Sequence, residues 1–131
     1  MSLSNMKTIL LGMMMFSVNL IPGETIVYVN QGAETTFQVV TAQVSAYTSS
    51  KDETDDTPHL TASGSKTREG IVACPSRLEF GTKIEIEGKA FVCEDRMNKR
   101  YRDREVYDIW VSSKEVAYEW GRKTLDIKIY E

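Results

Sequence analysis

Short apolar stretches with a period of two recur along the chain, each closed by glycine, proline or a polar turn. From Thr82 to Glu87, Ile84 and Ile86 fall on one face and Lys83, Glu85 and Glu87 on the other, with Gly88 as the turn. In the next strand Phe91, Cys93 and Asp95 share a face by the same period, which puts the Asp95 carboxylate where Cys93 points. Val106 to Val111 reads as another strand. Leu125, Ile127 and Ile129 alternate with Asp126 and Lys128 in a last, half-buried one. Ile71 to Cys74 is a short buried strand ended by Pro75. Upstream, residues 24–30 are rich in β-branched residues, Gln31 and Gly32 turn the chain, and Thr35 to Thr48 forms one long or two short strands. A single helix breaks this pattern. Ser112 to Glu115 resembles a capping box with Ser112 as N-cap, Val116, Ala117 and Trp120 fall on one helical face, and Gly121 stands at the C-cap. Ser49 to Glu69 is polar and aperiodic, a long surface loop of the kind that is usually functional or disordered. Its acids Asp52, Glu53, Asp55 and Asp56 lack calcium-loop spacing and read as solvated. The expectation is an all-β domain of six to seven short strands, a barrel or a sandwich, with one short α-helix near the C-terminus.

Composition narrows this picture. The chain has 131 residues, the length of one domain, and a net charge of −3. A nucleic-acid partner is not expected, because such binders carry a basic face and a high pI. The one basic cluster, Lys99 to Arg104, is interrupted by Asp103 and flanked by Asp95 and Glu105. It reads as a solvated loop, with contact to an anionic polymer as the other reading. Lys7 precedes an apolar run from Ile9 to Ile21 that Pro22-Gly23 ends. Residues 1–22 therefore read as a signal peptide or a membrane anchor, attached through residues 9–21, and place the protein outside the cytoplasm. The alternative is a helix packed on the protein's own surface. In an exported protein the two cysteines, Cys74 and Cys93, invite a disulfide, worth ~3 kcal/mol in the chain-entropy model. Otherwise they are two buried thiols. With His59 as the single histidine and no metal-type spacing, no metal site is expected.

Asp108 stands among Tyr107, Ile109 and Trp110. Apolar surroundings raise a carboxyl's pKa and fit it for acid catalysis, and a second carboxylate such as Asp95 across a groove would couple to it. Alternation turns Tyr107 and Ile109 to the opposite face, leaving Trp110 on the side of Asp108. Without family knowledge, an aspartate in a strand is more often a surface residue than a catalyst. Trp110, Tyr107, Tyr101 and Tyr47 are candidates for stacking on a sugar, against core packing as the plain reading. For Trp120, core packing is the better reading.

These pieces, in order, resemble the 3D domain, a family of double-psi β-barrels named for three aspartates that includes lytic transglycosylases. The matching stretches are Ala46 to Thr48, Thr61 to Gly64, Gly70 to Pro75, Phe80 to Ile86, Cys93 to Asp95, Tyr107 to Trp110 and Glu119 to Arg122, about two thirds of the chain. The resemblance implies a double-psi barrel over residues 44–131, preceded by a β-extension at 23–43. It implies Asp108 as the general acid/base, Asp95 as the aspartate that shapes and polarises the site, and Thr61 beside the groove. Tyr47, Tyr107, Trp110 and Arg96 complete the expected substrate contacts. The chain departs from the family where its first aspartate should precede a proline, because Cys74 stands there. A Cys74–Cys93 disulfide then replaces whatever that aspartate held, or the barrel has lost a group and only binds glycan. A longer Asp95–Asp108 interval carries Arg100, Arg102 and Arg104.

The activity implied is cleavage of the β-1,4 bond between N-acetylmuramic acid and N-acetylglucosamine in peptidoglycan, giving 1,6-anhydro ends. One acid suffices for this, and no metal or cofactor is expected. The implied partner is the peptidoglycan glycan strand, acted on by a monomer. The alternatives are a non-catalytic glycan-binding barrel and a lysis-accessory protein held at the membrane.

Overall fold

The computed structural model describes residues 8–9, 23, 25–30, 33–52 and 56–131. In chain order the elements are β1 (Thr8–Ile9), β2 (Thr25–Asn30), β3 (Ala33–Tyr47), β4 (Ile71–Cys74), β5 (Lys83–Ile86), β6 (Lys89–Arg96), a 3₁₀ turn (Lys99–Tyr101), β7 (Val106–Trp110), α1 (Lys114–Trp120) and β8 (Lys123–Tyr130). Six strands close into a barrel in the order β3-β7-β4-β6-β5-β8, with β8 returning to β3. The all-β fold with one short helix is as the periodicity predicts, and of the two expected architectures it is the barrel. The parallel pairs β3/β7 and β4/β6 flank the antiparallel pair β4/β7. Parallel partners need crossover connections, so the chain crosses the barrel twice to make them.

The inward positions follow the period of two. Val44, Val72, Cys74, Ile84, Ile86, Phe91, Cys93, Tyr107, Ile109, Ile127 and Ile129 form one core cluster. Closure also removes free edges from these six strands. Beyond the barrel, β2 pairs antiparallel with the first part of β3, and β1 pairs in parallel with β2.

Several expectations are corrected. β3 runs unbroken from Ala33 to Tyr47 and pairs with β8 from Phe37 onward, so a boundary between residues 43 and 44 falls inside a barrel strand. The helix is capped by Ser113 rather than Ser112, because the Ser113 hydroxyl accepts from the Val116 N–H at 3.3 Å. Ala117 and Trp120 pack on the core, whereas Val116 is exposed. The expectations for residues 1–7 and 10–22 lie outside the described residues. Among the described residues no helix is long and apolar enough to cross a membrane.

Cys74 and Cys93 are joined, with Cα atoms 5.8 Å apart and a sequence separation of 19. Both are fully buried. The bridge ties β4 to β6, so the disulfide of the two open cysteine readings is the one observed, and it accords with a compartment that is not reducing. Replacing both cysteines by alanine is expected to lower the unfolding free energy by about 3 kcal/mol through lost loop closure. Urea denaturation of the two proteins, without reductant, measures the difference.

Candidate functional site

The β4/β6 ladder contains one extra residue. Val72 pairs with Cys93, but the next residue, Ala73, pairs with Asp95. The bulge takes up Glu94 and turns Asp95 over, because a one-residue slip reverses the facing of the residues after it. Asp95 therefore does not point where Cys93 points, contrary to the alternation expected from sequence. Cys93 enters the core. Asp95 faces outward beside Ala73.

This slip completes a row across four strands. Ser45 of β3 pairs with Asp108 of β7, Asp108 with Ala73 of β4, and Ala73 with Asp95 of β6. The two carboxylates thus share the outer face, about 10 Å apart at Cα by two strand spacings. Ala73 stands between them in the row. Tyr47, two residues along β3 from Ser45, leans over the same face and donates from its hydroxyl to Asp95 Oδ2 at 2.6 Å.

The two carboxylates are held differently. Asp95 Oδ1 accepts from the backbone N–H groups of Ala62 at 2.9 Å and of Arg96 at 2.8 Å, besides the Tyr47 bond on Oδ2. Three donors fix it. Asp108 accepts from the Ser45 hydroxyl. Burial raises the Tyr47 phenol well above its ordinary value, and its bond to Asp95 and the negative charges of Asp95 and Asp108 raise it further. Tyr47 is therefore a permanent donor near neutral pH, within the field of both aspartates.

The row floors a cleft of about 690 Å³. Asp52, Pro58 and Leu60 form one wall. Arg96 to Lys99, with Tyr101 and Arg102, form another, and Arg122 also lines it. Among the described residues no group of three or more histidines, cysteines and acids could hold a metal ion.

The sequence candidates divide accordingly. Asp95, Asp108, Tyr47, Arg96 and Tyr101 line this cleft. Arg96 donates from Nη1 to the Pro75 carbonyl at 2.9 Å and stacks 4.1 Å above the Phe80 ring. Tyr107 does not reach the cleft. It is fully buried, and its hydroxyl donates to Glu105 Oε2 at 2.7 Å, so the expected substrate contact is corrected to a core position. Trp110 lies on the outer face but lines a separate hollow with Ser49, His59 and Thr67, and its Nε1 donates to Ser49 at 3.0 Å. Thr61 is buried behind the cleft. Its Oγ1 lies 2.9 Å from both the Ser63 and Ser65 hydroxyls. These bonds set the turn whose next residue, Ala62, donates to Asp95, so Thr61 positions a donor. Trp120 packs on the core, as expected, and donates from Nε1 to the Val44 carbonyl at 3.3 Å.

Sequence reasoning missed Ser45, Ala73 and the Ala62 N–H. Ser45 could have been found two places before Tyr47 by alternation. The other two depend on long-range register.

A fastening of the loop completes the site. Glu94, the residue taken up in the bulge, makes a two-point ion pair with Arg68, at 2.8 and 2.6 Å, and accepts from the Ser65 hydroxyl at 2.6 Å. The Arg68 and Ser65 bonds lower the Glu94 carboxyl to about 2.

The chain matches no family model and no curated protein sequence.

A lowered folded-state pKa stabilises above the unfolded value and loses that effect as pH falls through the folded value. Glu94→Gln is therefore expected to be less stable than the parent at pH 6, with the difference shrinking between about pH 4.5 and about pH 2. Denaturant midpoints of both proteins across that interval check it. A difference that stays constant with pH would remove Glu94 as the loop's fastening.

Proposed function

We propose that this protein is a peptidoglycan lytic transglycosylase whose acid/base is Asp108. The observation that carries the reading is the row Ser45–Asp108–Ala73–Asp95, which sets two differently held carboxylates on one face of an open cleft. Asp95 is fixed in place by three donors. Asp108 has the Ser45 hydroxyl beside it and opens on the same cleft.

In this reading the protonated Asp108 gives its proton to the oxygen leaving C1 of the muramic acid unit, and the glycosidic bond breaks. An oxocarbenium-like centre forms, and the charges of Asp95 and Asp108 stabilise it. The Asp108 carboxylate then takes the proton of the sugar's own C6 hydroxyl as O6 bonds to C1. The products are a 1,6-anhydro end and a free 4-hydroxyl, and Asp108 is protonated again. No water enters the balance, so one acid serves where a hydrolase uses two carboxyls in set geometry. A wall substrate and a disulfide both suit a protein that works outside the cytoplasm, at the cell envelope.

Cys74 favours a second reading. The position where the resembled family carries an aspartate is here a half-cystine in the core. A barrel that binds glycan without cutting it needs no such group.

Incubation of the full chain with purified peptidoglycan, read by mass spectrometry, decides between them. The expected product carries anhydromuramic ends, and Asp108→Asn is expected to lower its yield on the order of a thousandfold while leaving the unfolding midpoint near that of the parent. Wall-bound protein that releases nothing would favour the binding barrel. Equal product from a folded Asp108→Asn variant would sink the assignment.

Tyr47→Phe tests the support of Asp95 separately. It removes the bond on Oδ2 and retains the two backbone donors. A fall in turnover of about ten- to a hundredfold is expected, by analogy with loss of one donor at a polarised site. Unchanged turnover would leave Tyr47 without a part in the reaction.

A further inference from the structure

The cleft is more basic than the chain. Arg96, Lys99, Arg102 and Arg122 line it, in a protein of net charge −3. The ion pairs among the described residues engage Arg68, Arg77, Lys114, Lys123 and Lys128, and none of the four cleft cations. Asp52, the wall carboxylate, is held by Lys114 at 2.6 Å.

The arrangement is tightest at Arg96 and Arg102. Arg96 uses Nη1 on the Pro75 carbonyl, and Arg102 uses Nε on the Met97 carbonyl at 3.1 Å. These bonds, with the stack of Arg96 on Phe80, orient both guanidinium groups and leave Nη2 of Arg96 and both Nη groups of Arg102 without a hydrogen-bond partner among the described residues. The two cations also oppose one another: burial first, and then the charge of Arg102, hold Arg96 below its ordinary pKa. Like charges kept close in a cleft, each anchored through a backbone carbonyl, are a standing cost that a bound anion removes.

We propose that Arg96, Lys99 and Arg102 form an anion subsite at the β6 end of the cleft, which takes an oxyanion carried by the ligand beside the bond whose leaving oxygen Asp108 protonates. The subsite stands on this geometry. Its ligand rests on the cell-wall reading, in which the oxyanion is a carboxylate of the peptide stem or a phosphodiester of a wall polymer. Guanidinium groups match either, because both present paired oxygens to a planar fork of donors. The subsite adds an orientation to the proposed reaction: an anion held here fixes which way a glycan strand lies across Asp108.

The test has two arms, both with the full chain. In the first, ¹⁵N-labelled protein is titrated with inorganic phosphate, against sodium chloride at matched ionic strength. Saturable shifts of the Arg96 and Arg102 Nε–Hε signals with phosphate are expected. They should be lost in Arg102→Gln and restored in Arg102→Lys at the remaining Arg96 signal. Shifts that are linear, spread over all arginines and equal in chloride would overturn the subsite.

In the second arm, retention is measured on whole walls, on walls stripped of phosphate polymers and on glycan stripped of peptide stems. The variant Lys99→Gln/Arg102→Gln is expected to bind whole walls about tenfold more weakly, as for loss of charge-assisted bonds. The preparation on which parent and variant become equal names the source of the anion. A folded double variant that binds every preparation as the parent does would overturn the proposal. A parent that binds none of them would sink the cell-wall reading, and the phosphate titration would still decide the subsite.

Discussion

One extra residue in β6 decides what this barrel presents to its surroundings. Without the bulge at Glu94, strict alternation would send Asp95 into the core, where an unpaired charge is prohibitively costly. With it, Asp95 faces the same way as Asp108, and Glu94 is left to meet the loop above. The disulfide spans this irregularity. Cys93 lies on the near side of the slip and Cys74 pairs with Arg96 on the far side. The covalent tie therefore holds the two strands together where their ladder is interrupted, and the register beyond the bulge is fixed from inside the core.

The bulge also organises the long polar loop. Arg68 and Ser65 bind Glu94, the Ser65 and Ser63 hydroxyls meet Thr61, and the following N–H at Ala62 reaches Asp95. A chain of polar contacts thus runs from an exposed ion pair to a carboxylate at the floor of the cleft. An isolated surface ion pair contributes little to stability. This one matters through what it holds in place. Asp108 accepts from the Ser45 hydroxyl of β3. The same strand also serves Asp95 through Tyr47, so β3 reaches both carboxylates and the loop adds the Ala62 N–H to one of them.

Much of the barrel was legible because the half-buried strands obey the period of two. Ile84 with Ile86, and Ile127 with Ile129, announce their strands and their inward faces without any tertiary knowledge. Ile71 to Cys74 was legible as an apolar run of strand length closed by Pro75. The site was legible only in part. Asp108 and its outward face follow from alternation within β7. The facing of Asp95 does not, because a bulge is a property of the pairing between β4 and β6. Tyr107 misled for the opposite reason: alternation already turned it inward, and a polar hydroxyl in a core needs a partner that the sequence does not display, here Glu105. The helix cap slipped by one residue because Ser112 and Ser113 offer the same hydroxyl, and the backbone chose the second.

Charge separates the surface from the cleft. The acidic excess of the chain is spread over a surface where Glu85, Glu87, Glu94 and Glu105 meet lysines and arginines in pairs. Among the described residues the cations that line the cleft take no part in that pairing, and Arg96 and Arg102 are held by backbone carbonyls. Carbonyl anchoring orients a guanidinium without neutralising it, so its charge remains available to a ligand. Among the described residues the hydrogen bonds on Asp95 come from neutral donors, a phenol and two backbone N–H groups, and Asp108 accepts from a hydroxyl. Had the Arg96 side chain closed directly on Asp95, each would have cancelled the other and the cleft would hold a salt bridge in place of a site. The neutral donors keep the two signs apart, with aspartates on the floor and arginines and a lysine at the edge. A charged ligand that enters the cleft is oriented by such a separation.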